Sequence, residues 1–225
     1  MLSVIIPCFN EQDIVYESLE KIFNYFKTVD FDFEIIVVDN ASTDDTKNVL
    51  KNIKKEVDIT ILDEPNKGKG NAVKKGLQNI KFEKVLILDA DLSTDINEFK
   101  NEWLEVDNTI FLGSRYYGIE IDTPYLRKVS GSILNLLIRI FFGIKVKDTQ
   151  CGFKYLSSDK ISKISNEMTI RGFMYDLDLI LICKENNLKI EEIPVKYIFN
   201  DHSSVSLIRD PFFMIKDLLR LKNKF

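Results

Sequence analysis

Apolar positions in the first ninety residues fall in short blocks that alternate with longer amphipathic stretches. Leu2–Pro7 reads as a strand, and from Asn10 to Lys27 the residues Ile14, Leu19, Ile22, Phe23 and Phe26 recur at helical spacing. Asn10 with Asp13 resembles a capping arrangement for that helix. Ile35–Val38 is an unbroken apolar strand closed by Asp39, and a polar helix is expected from Thr43 to Lys54. Ile59–Leu62 then reads as a short strand, Gly70–Ile80 as a helix and Lys84–Leu88 as a further strand. Repeated strand–helix crossovers predict an α/β fold with a mostly parallel central sheet covered on both faces. This half is expected to be a nucleotide-binding sandwich.

The second half is less regular. Thr109–Gly113 reads as a strand, Tyr125–Gly143 as a long apolar helix carrying Arg127, Lys128 and Arg139, and Asp148–Tyr155 as a turn into a strand. Phe173–Asn186 is helical, Ile190–Phe199 a strand, and the C-terminus helical again. With no internal repeat, low-complexity tract or Gly/Ser linker, residues 1–209 are expected to form one domain. Residues 210–225 form a C-terminal amphipathic helix in which bulky apolar residues alternate with Lys and Arg. That pattern suits a helix lying in a membrane interface, and also one packed on the domain or on a second subunit.

Composition narrows the chemistry. The chain has 225 residues, 45% hydrophobic and 29% charged, which is enough for a large core without staples. Its 31 basic and 35 acidic residues leave a net charge of −4, so no nucleic-acid partner is expected and any anion site must be local. Cys8, Cys151 and Cys183 form no CxxC pair and are expected to be reduced residues of a cytoplasmic protein, with no zinc site. His202 is the single histidine, which rules out a His-based metal centre and argues against a Ser/His triad. Met1 leads directly into a strand, so no secretion signal is expected. Ile133–Val146, interrupted by Arg139, is too short to span a bilayer, which takes about 20 residues.

The most informative stretch is Val85-Leu-Ile-Leu-Asp-Ala-Asp-Leu-Ser93, an apolar strand that runs into two acids, Asp89 and Asp91. Ligands of open parallel sheets collect beyond the carboxyl ends of the strands. Hard oxygen ligands there suit Mg²⁺ or Mn²⁺ carrying a diphosphate, although a strand-end Asp also serves as a cap or turn former. Two other strands end comparably, in Pro7-Cys-Phe-Asn-Glu11 and Asp39-Asn-Ala-Ser-Thr-Asp44. Asp39 is a candidate to accept hydrogen bonds from a ribose diol or a base N–H, with an Asx turn as the alternative. Asn66-Lys-Gly-Lys-Gly-Asn-Ala is a basic loop opening a helix, where backbone N–H groups beside Lys67 and Lys69 would favour phosphate oxygens. It matches neither the P-loop nor the dinucleotide-binding glycine pattern, and a solvated turn remains the alternative.

These four segments, in their order along the chain from Pro7 to Asp91, resemble the inverting nucleotide-sugar glycosyltransferases of family two. Gly113-Ser-Arg-Tyr116, Asp148-Thr-Gln-Cys-Gly-Phe-Lys154 and Arg171-Gly-Phe-Met-Tyr-Asp176 are similar to the branch of dolichyl-phosphate glucosyltransferase and dolichol-phosphate mannose synthase. The resemblance spans nearly the whole chain and implies a GT-A-type sandwich. It implies that Pro7, Asn10, Glu11, Asp39, Lys69 and Ala90 line the nucleotide-sugar pocket, and that Asp89 and Asp91 hold the metal and act in catalysis. Arg115, Arg127 and Lys128 would bind the acceptor phosphate, and Asp148 would act in the acceptor region. Ser93 stands where mannose synthases carry Gln, and the acceptor-side Arg near the end has only His202 or Arg209 as substitutes. Those departures weaken a mannose assignment, and the branch resembled implies UDP-glucose or a similar donor.

Inverting transfer needs a nucleophile on one face of the anomeric carbon and a stabilised leaving group on the other. A phosphate monoester, mostly anionic at neutral pH, needs cations rather than a base. A sugar hydroxyl would need a carboxylate base, with Asp148 or Asp176 as candidates. The expected partners are therefore a nucleotide sugar and a polyprenyl phosphate lipid, reached by peripheral contact with the cytoplasmic face of a membrane, with room for a homo-oligomer or a separate membrane subunit. A polysaccharide or glycan hydroxyl is the alternative acceptor. A nucleotidylyltransferase would want a Gly-rich, Arg-containing loop after the first strand, which is absent, and a nucleotide-binding scaffold would show no metal-dependent transfer.

Overall fold

In the computed structural model, residues 1–115, 125–198 and 209–225 are described, without the side chains of 125–133 and 209–212. Seven strands, β1 (Leu2–Cys8), β2 (Phe33–Asp39), β3 (Thr60–Asp63), β4 (Lys84–Ile87), β5 (Thr109–Ser114), β6 (Lys154–Ser157) and β7 (Lys189–Pro194), form one sheet. Its order is β3-β2-β1-β4-β6-β5-β7. The helices are α1 (Val15–Lys27), α2 (Thr46–Ile53), α3 (Lys69–Leu77), α4 (Tyr125–Phe142), α5 (Ile161–Glu167), α6 (Tyr175–Glu185) and α7 (Arg209–Lys224).

Alternate residues of a strand face opposite sides, and both sides of this sheet are covered. Every residue of β1 is buried for that reason. Ile5, Val85, Ile87, Ile110 and Leu112 pack with residues of α3 to α7, including Ile138, Leu218 and Leu221. Val4, Ile6, Ile35, Val37 and Leu86 pack with α1, α2 and the short 3₁₀ turns Ile96–Glu98 and Asn101–Glu105. The second layer is rich in rings: Trp103 lies edge-on to Phe99 at 5.5 Å and to Phe153 at 6.0 Å, and Phe111 stacks on Tyr155 at 5.9 Å.

β1 pairs in parallel with both β2 and β4, so the strand order reverses direction there. β6 alone runs against its neighbours. The carboxyl ends of the other strands and the amino end of β6 therefore meet along one edge. That edge carries the residues singled out by the sequence.

The starts of α1 and α2 differ from expectation because nearby side chains are used for turns. α1 begins at Val15 rather than Asn10, and its N-cap, Ile14, has no side-chain cap. Asn10 instead sits at φ 56° with its Oδ1 accepting the Thr43 N–H, so the Asn10–Asp13 cap does not form. α2 begins at Thr46, because Asp44 Oδ1 accepts both the Thr46 N–H and its hydroxyl. α5 has no counterpart in the apolar periodicity, being only seven residues long. The inner face of α7 is part of the domain, with Leu218 and Leu221 buried.

Candidate active site

The turns after β1, β2 and β4 each place a non-glycine residue in the left-handed region: Asn10 at φ 56°, Ala41 at 57° and Leu92 at 47°. This costs about 1–2 kcal/mol for a residue with a Cβ, so surrounding bonds must hold it. Asn10 N–H donates to Ser42 Oγ at 3.0 Å and Glu11 N–H to Thr46 Oγ1 at 2.8 Å, clasping the first two turns together. Asn40 joins them to the basic loop: its N–H donates to Cys8 O (2.8 Å), its Nδ2 to Asn66 O (2.8 Å), and its Oδ1 accepts from Gly68 N–H (2.7 Å). Sequence reasoning passed over Asn40, because only the fold brings the loops after β2 and β3 together.

Acidic groups converge at this edge. Cys8 is buried, and its thiol is pushed well up by that burial and by the carboxylates of Glu11, Asp39 and Asp89 around it. The Glu11 carboxyl is raised to about 7 by burial and by repulsion from Asp91 and Asp89. Asp39, 4% exposed, also accepts a long 3.4 Å bond from Ser42 N–H, three residues on rather than the two of an Asx turn. Burial works against the charge of Asp89, yet Lys69, with Lys154 and Arg115 beyond it, keeps its carboxyl below the ordinary value. Lys69 Nζ lies 2.5 Å from Asp89 Oδ1. Asp91 accepts the Ser93 N–H at 2.9 Å and hydroxyl at 2.7 Å, so Ser93 orients this acid directly. Pro7 and Ala90 are buried beside these groups.

The basic loop rests on the turn before α6. Gly68 has φ 131°, open to glycine and strained for other residues, and a Cβ there would meet Arg171 O at 2.2 Å. A Cβ on Gly70 would meet Ile170 O at 2.3 Å. Gly70 N–H donates to Arg171 O at 2.8 Å, and Asn71 N–H to Gly68 O at 2.9 Å. Of the backbone N–H groups expected here to cradle phosphate, those of Gly68, Gly70 and Asn71 therefore serve to dock the loop. Its charge lies beside the acids: Lys69 against Asp89, and Lys67 at 4.9 Å over the Phe9 ring.

Across the edge, Arg115 follows β5 and Asp148 precedes β6. Arg115 Nε and Nη2 grip the two oxygens of Asp148 at 2.7 and 2.9 Å, and Arg115 N–H adds a third bond at 3.0 Å. Burial alone would raise the Asp148 carboxyl, but its bonds to Arg115 hold it below the ordinary value. Asp148, expected among the reacting groups, is 2% exposed and committed to Arg115, so it lacks the free lone pair and basicity of a proton acceptor. Arg115 remains about a third exposed, with its guanidinium 5.3 Å from the Tyr197 ring centroid. Asp176 is ion-paired through one oxygen, its Oδ1 lying 2.6 Å from the fully buried Lys154. Burial pushes its carboxyl up even so. The side chains of Arg127, Lys128 and Arg209, and all of His202, lie outside the described residues.

The donor set fits a hard divalent ion. Among the described residues no three acidic, His or Cys side chains are close enough to enclose one. Mg²⁺ and Mn²⁺ sites of this kind take one or two carboxylates and complete their shells with water and phosphate oxygens. Asp89 and Asp91 each keep lone pairs beyond those used by Lys69 and Ser93. Behind burial, repulsion from Asp91 and Asp89 also raises the Glu11 carboxyl, and a cation there would relieve that part.

Residues 3–164 match the model of "Glycosyl transferase family 2". The chain belongs to this family. This family 2 transferase is 30% identical to a dolichyl-phosphate beta-glucosyltransferase of Trichomonas vaginalis, over 98% of this chain and 72% of that protein. It is 28% identical to the dolichyl-phosphate beta-glucosyltransferase of Saccharomyces cerevisiae, over 98% of this chain and 74% of that protein. In fold the family 2 transferase superposes on glucosyl-3-phosphoglycerate synthase of Mycobacterium tuberculosis, solved with Mn²⁺, UDP and glucosyl-3-phosphoglycerate. The TM-score is 0.72 at 16% identity, covering 99% of this chain and 79% of that one. The expected GT-A sandwich and nucleotide-sugar glycosyltransferase activity are thereby shown for this chain.

Proposed function

We propose that the protein transfers glucose from UDP-glucose to a polyprenyl phosphate, inverting the anomeric carbon. The observation that carries the acceptor class is the state of the two carboxylates that could have served as bases. Asp148 is clamped by Arg115 and Asp176 by Lys154, both with almost no exposure. A hydroxyl acceptor would need one of them free, whereas a phosphate monoester arrives already anionic and needs only cations. Arg115, oriented by Asp148 at the end of β5, supplies one. The full-length similarity to dolichyl-phosphate glucosyltransferases supports the same choice.

On the donor side, Asp39 takes the ribose or base at the end of β2, and Pro7, Asn10 and Glu11 form the adjoining wall. Lys69 lies against the diphosphate. Asp89 and Asp91 would hold Mg²⁺ or Mn²⁺, which neutralises charge on the departing nucleoside diphosphate. Arg127 and Lys128, on α4, belong to the acceptor side.

The lipid implies contact with a membrane. Among the described residues no helix is long and apolar enough to cross one. The outer face of α7 exposes Phe213, Ile215 and Leu219 with Lys216 among them, and α4 exposes Leu136 and Ile140. Such a face suits peripheral binding at the cytoplasmic side of a bilayer.

The test is to incubate purified protein with labelled UDP-glucose or GDP-mannose, Mg²⁺ or Mn²⁺, and a polyprenyl phosphate, then count solvent-extractable label. Label is expected from UDP-glucose and is lost in Asp91→Ala. Transfer only to free glycans would overturn the acceptor assignment.

A further inference from the structure

The last helix is tied to the basic loop by an unbroken series of contacts. Lys224 Nζ donates to Asp178 Oδ1 at 2.7 Å and to Glu167 O at 2.8 Å. Asp178 is completely buried, and its other oxygen accepts the N–H groups of Thr169 (2.6 Å) and Ile170 (2.9 Å) and the Thr169 hydroxyl (3.2 Å). The turn held in this way is the one whose Ile170 and Arg171 carbonyls lie against Gly68 and Gly70. Gly70 N–H is bonded to Arg171 O at 2.8 Å, and the next position back, Lys69, is the one that meets Asp89.

Geometry at each joint is restrictive. Neither glycine tolerates a Cβ against the turn, so displacing Thr169–Arg171 displaces the start of α3 with it. A lysine side chain is long, and this one is only 28% exposed, committed to three acceptors at the end of the helix. Among the described residues its neighbours Lys222 and Arg220 make peripheral contacts, with the Phe141 ring at 4.6 Å and with Asp217 at 3.5 Å.

We propose that Lys224 is a positioning residue for the donor loop: through Asp178 it fixes the Thr169–Arg171 turn, and through that turn the aim of Lys69 at Asp89. The proposal rests on the reading of Lys69 and Asp89 as the diphosphate site. It makes the seating of α7, whose outer face is the proposed membrane contact, a condition for an ordered donor site.

The test compares wild type, Lys224→Met, Lys224→Arg and Arg220→Met in two measurements: amide hydrogen exchange over residues 66–72 without ligand, and binding of UDP with Mn²⁺ by calorimetry. Asp178 keeps three donors in Lys224→Met, which limits the cost of losing its cation, and the melting temperature of each variant checks that the fold is kept. Lys224→Met is expected to speed exchange at Gly70 and Asn71 and to weaken UDP binding by about five- to tenfold. Lys224→Arg is expected to restore most of both, and Arg220→Met to change neither. Unchanged exchange in Lys224→Met, or faster exchange with unchanged affinity, would overturn the proposal. Wild type that binds no UDP would instead overturn the donor-site reading, and exchange alone would then decide whether Lys224 orders the loop.

Discussion

A Cβ on Gly152 would stand 2.0 Å from Asp89 Oδ2, so the glycine two residues before β6 leaves the space that this acid fills. β4 and β6 are antiparallel neighbours, which brings the segment after one against the segment before the other. Gly152→Ala is expected to drive the Asp89 carboxylate from its place beside Lys69. Overpacking costs about 1–3 kcal/mol, but the larger effect is on chemistry, with transfer falling at least about a hundredfold. Rates measured at saturating donor, alongside melting temperature, separate the two.

Asn40 ties three loops that the sequence presents as unrelated. Asn40→Ala leaves the Gly68 N–H without its acceptor and the Asn66 carbonyl with the Asn71 amide alone, a loss of about 1–3 kcal/mol where such groups stay buried. Chemical denaturation should show that loss, and the donor KM should rise more than kcat falls, since the basic loop is what loosens.

Lys154 and Asp176 form a pair 2.6 Å apart with almost no exposure. Lys154→Met strands a buried acid and is expected to cost about 3–5 kcal/mol. The double variant Lys154→Met/Asp176→Leu should recover much of this, because removing both partners removes the uncompensated charge. A double-mutant cycle by urea denaturation checks it; additive losses would show that the two residues act separately.

The Arg115–Asp148 clamp predicts an acid limb of stability. Asp148 titrates below its ordinary value in the folded protein, so the unfolded chain takes up its proton first as pH falls. Its contribution is full at neutral pH, starts to fall near pH 4 and is lost through the depressed folded value. Asp148→Asn should lower stability at pH 7 by about 2 kcal/mol, reduced from the fully buried case because Arg115 is partly exposed, and flatten the curve below pH 4. Denaturation midpoints of both proteins between pH 3 and 7 measure this.

Much of the site could be read from the chain because its chemistry sits at strand ends. An apolar run that stops in an acid identifies both the strand and the group it delivers, as for Ile35–Asp39 and Val85–Asp89. Alternation of strands and helices is enough for a mostly parallel sheet, and that in turn places Glu11, Asp39, Asp89 and Asp91 along one edge. What pattern does not contain is which side chains are spent on one another. Asp148 and Asp176 look in sequence like free acids near a reactive centre, and only packing shows them held by Arg115 and Lys154. The same holds for the Gly70 and Gly68 N–H groups of the basic loop, taken up by the Arg171 carbonyl and by Asn40. Local spacing determines where a polar group emerges from the backbone. Whether it remains available for a ligand depends on neighbours distant in sequence, whose approach is decided by how the helices and loops pack across the sheet.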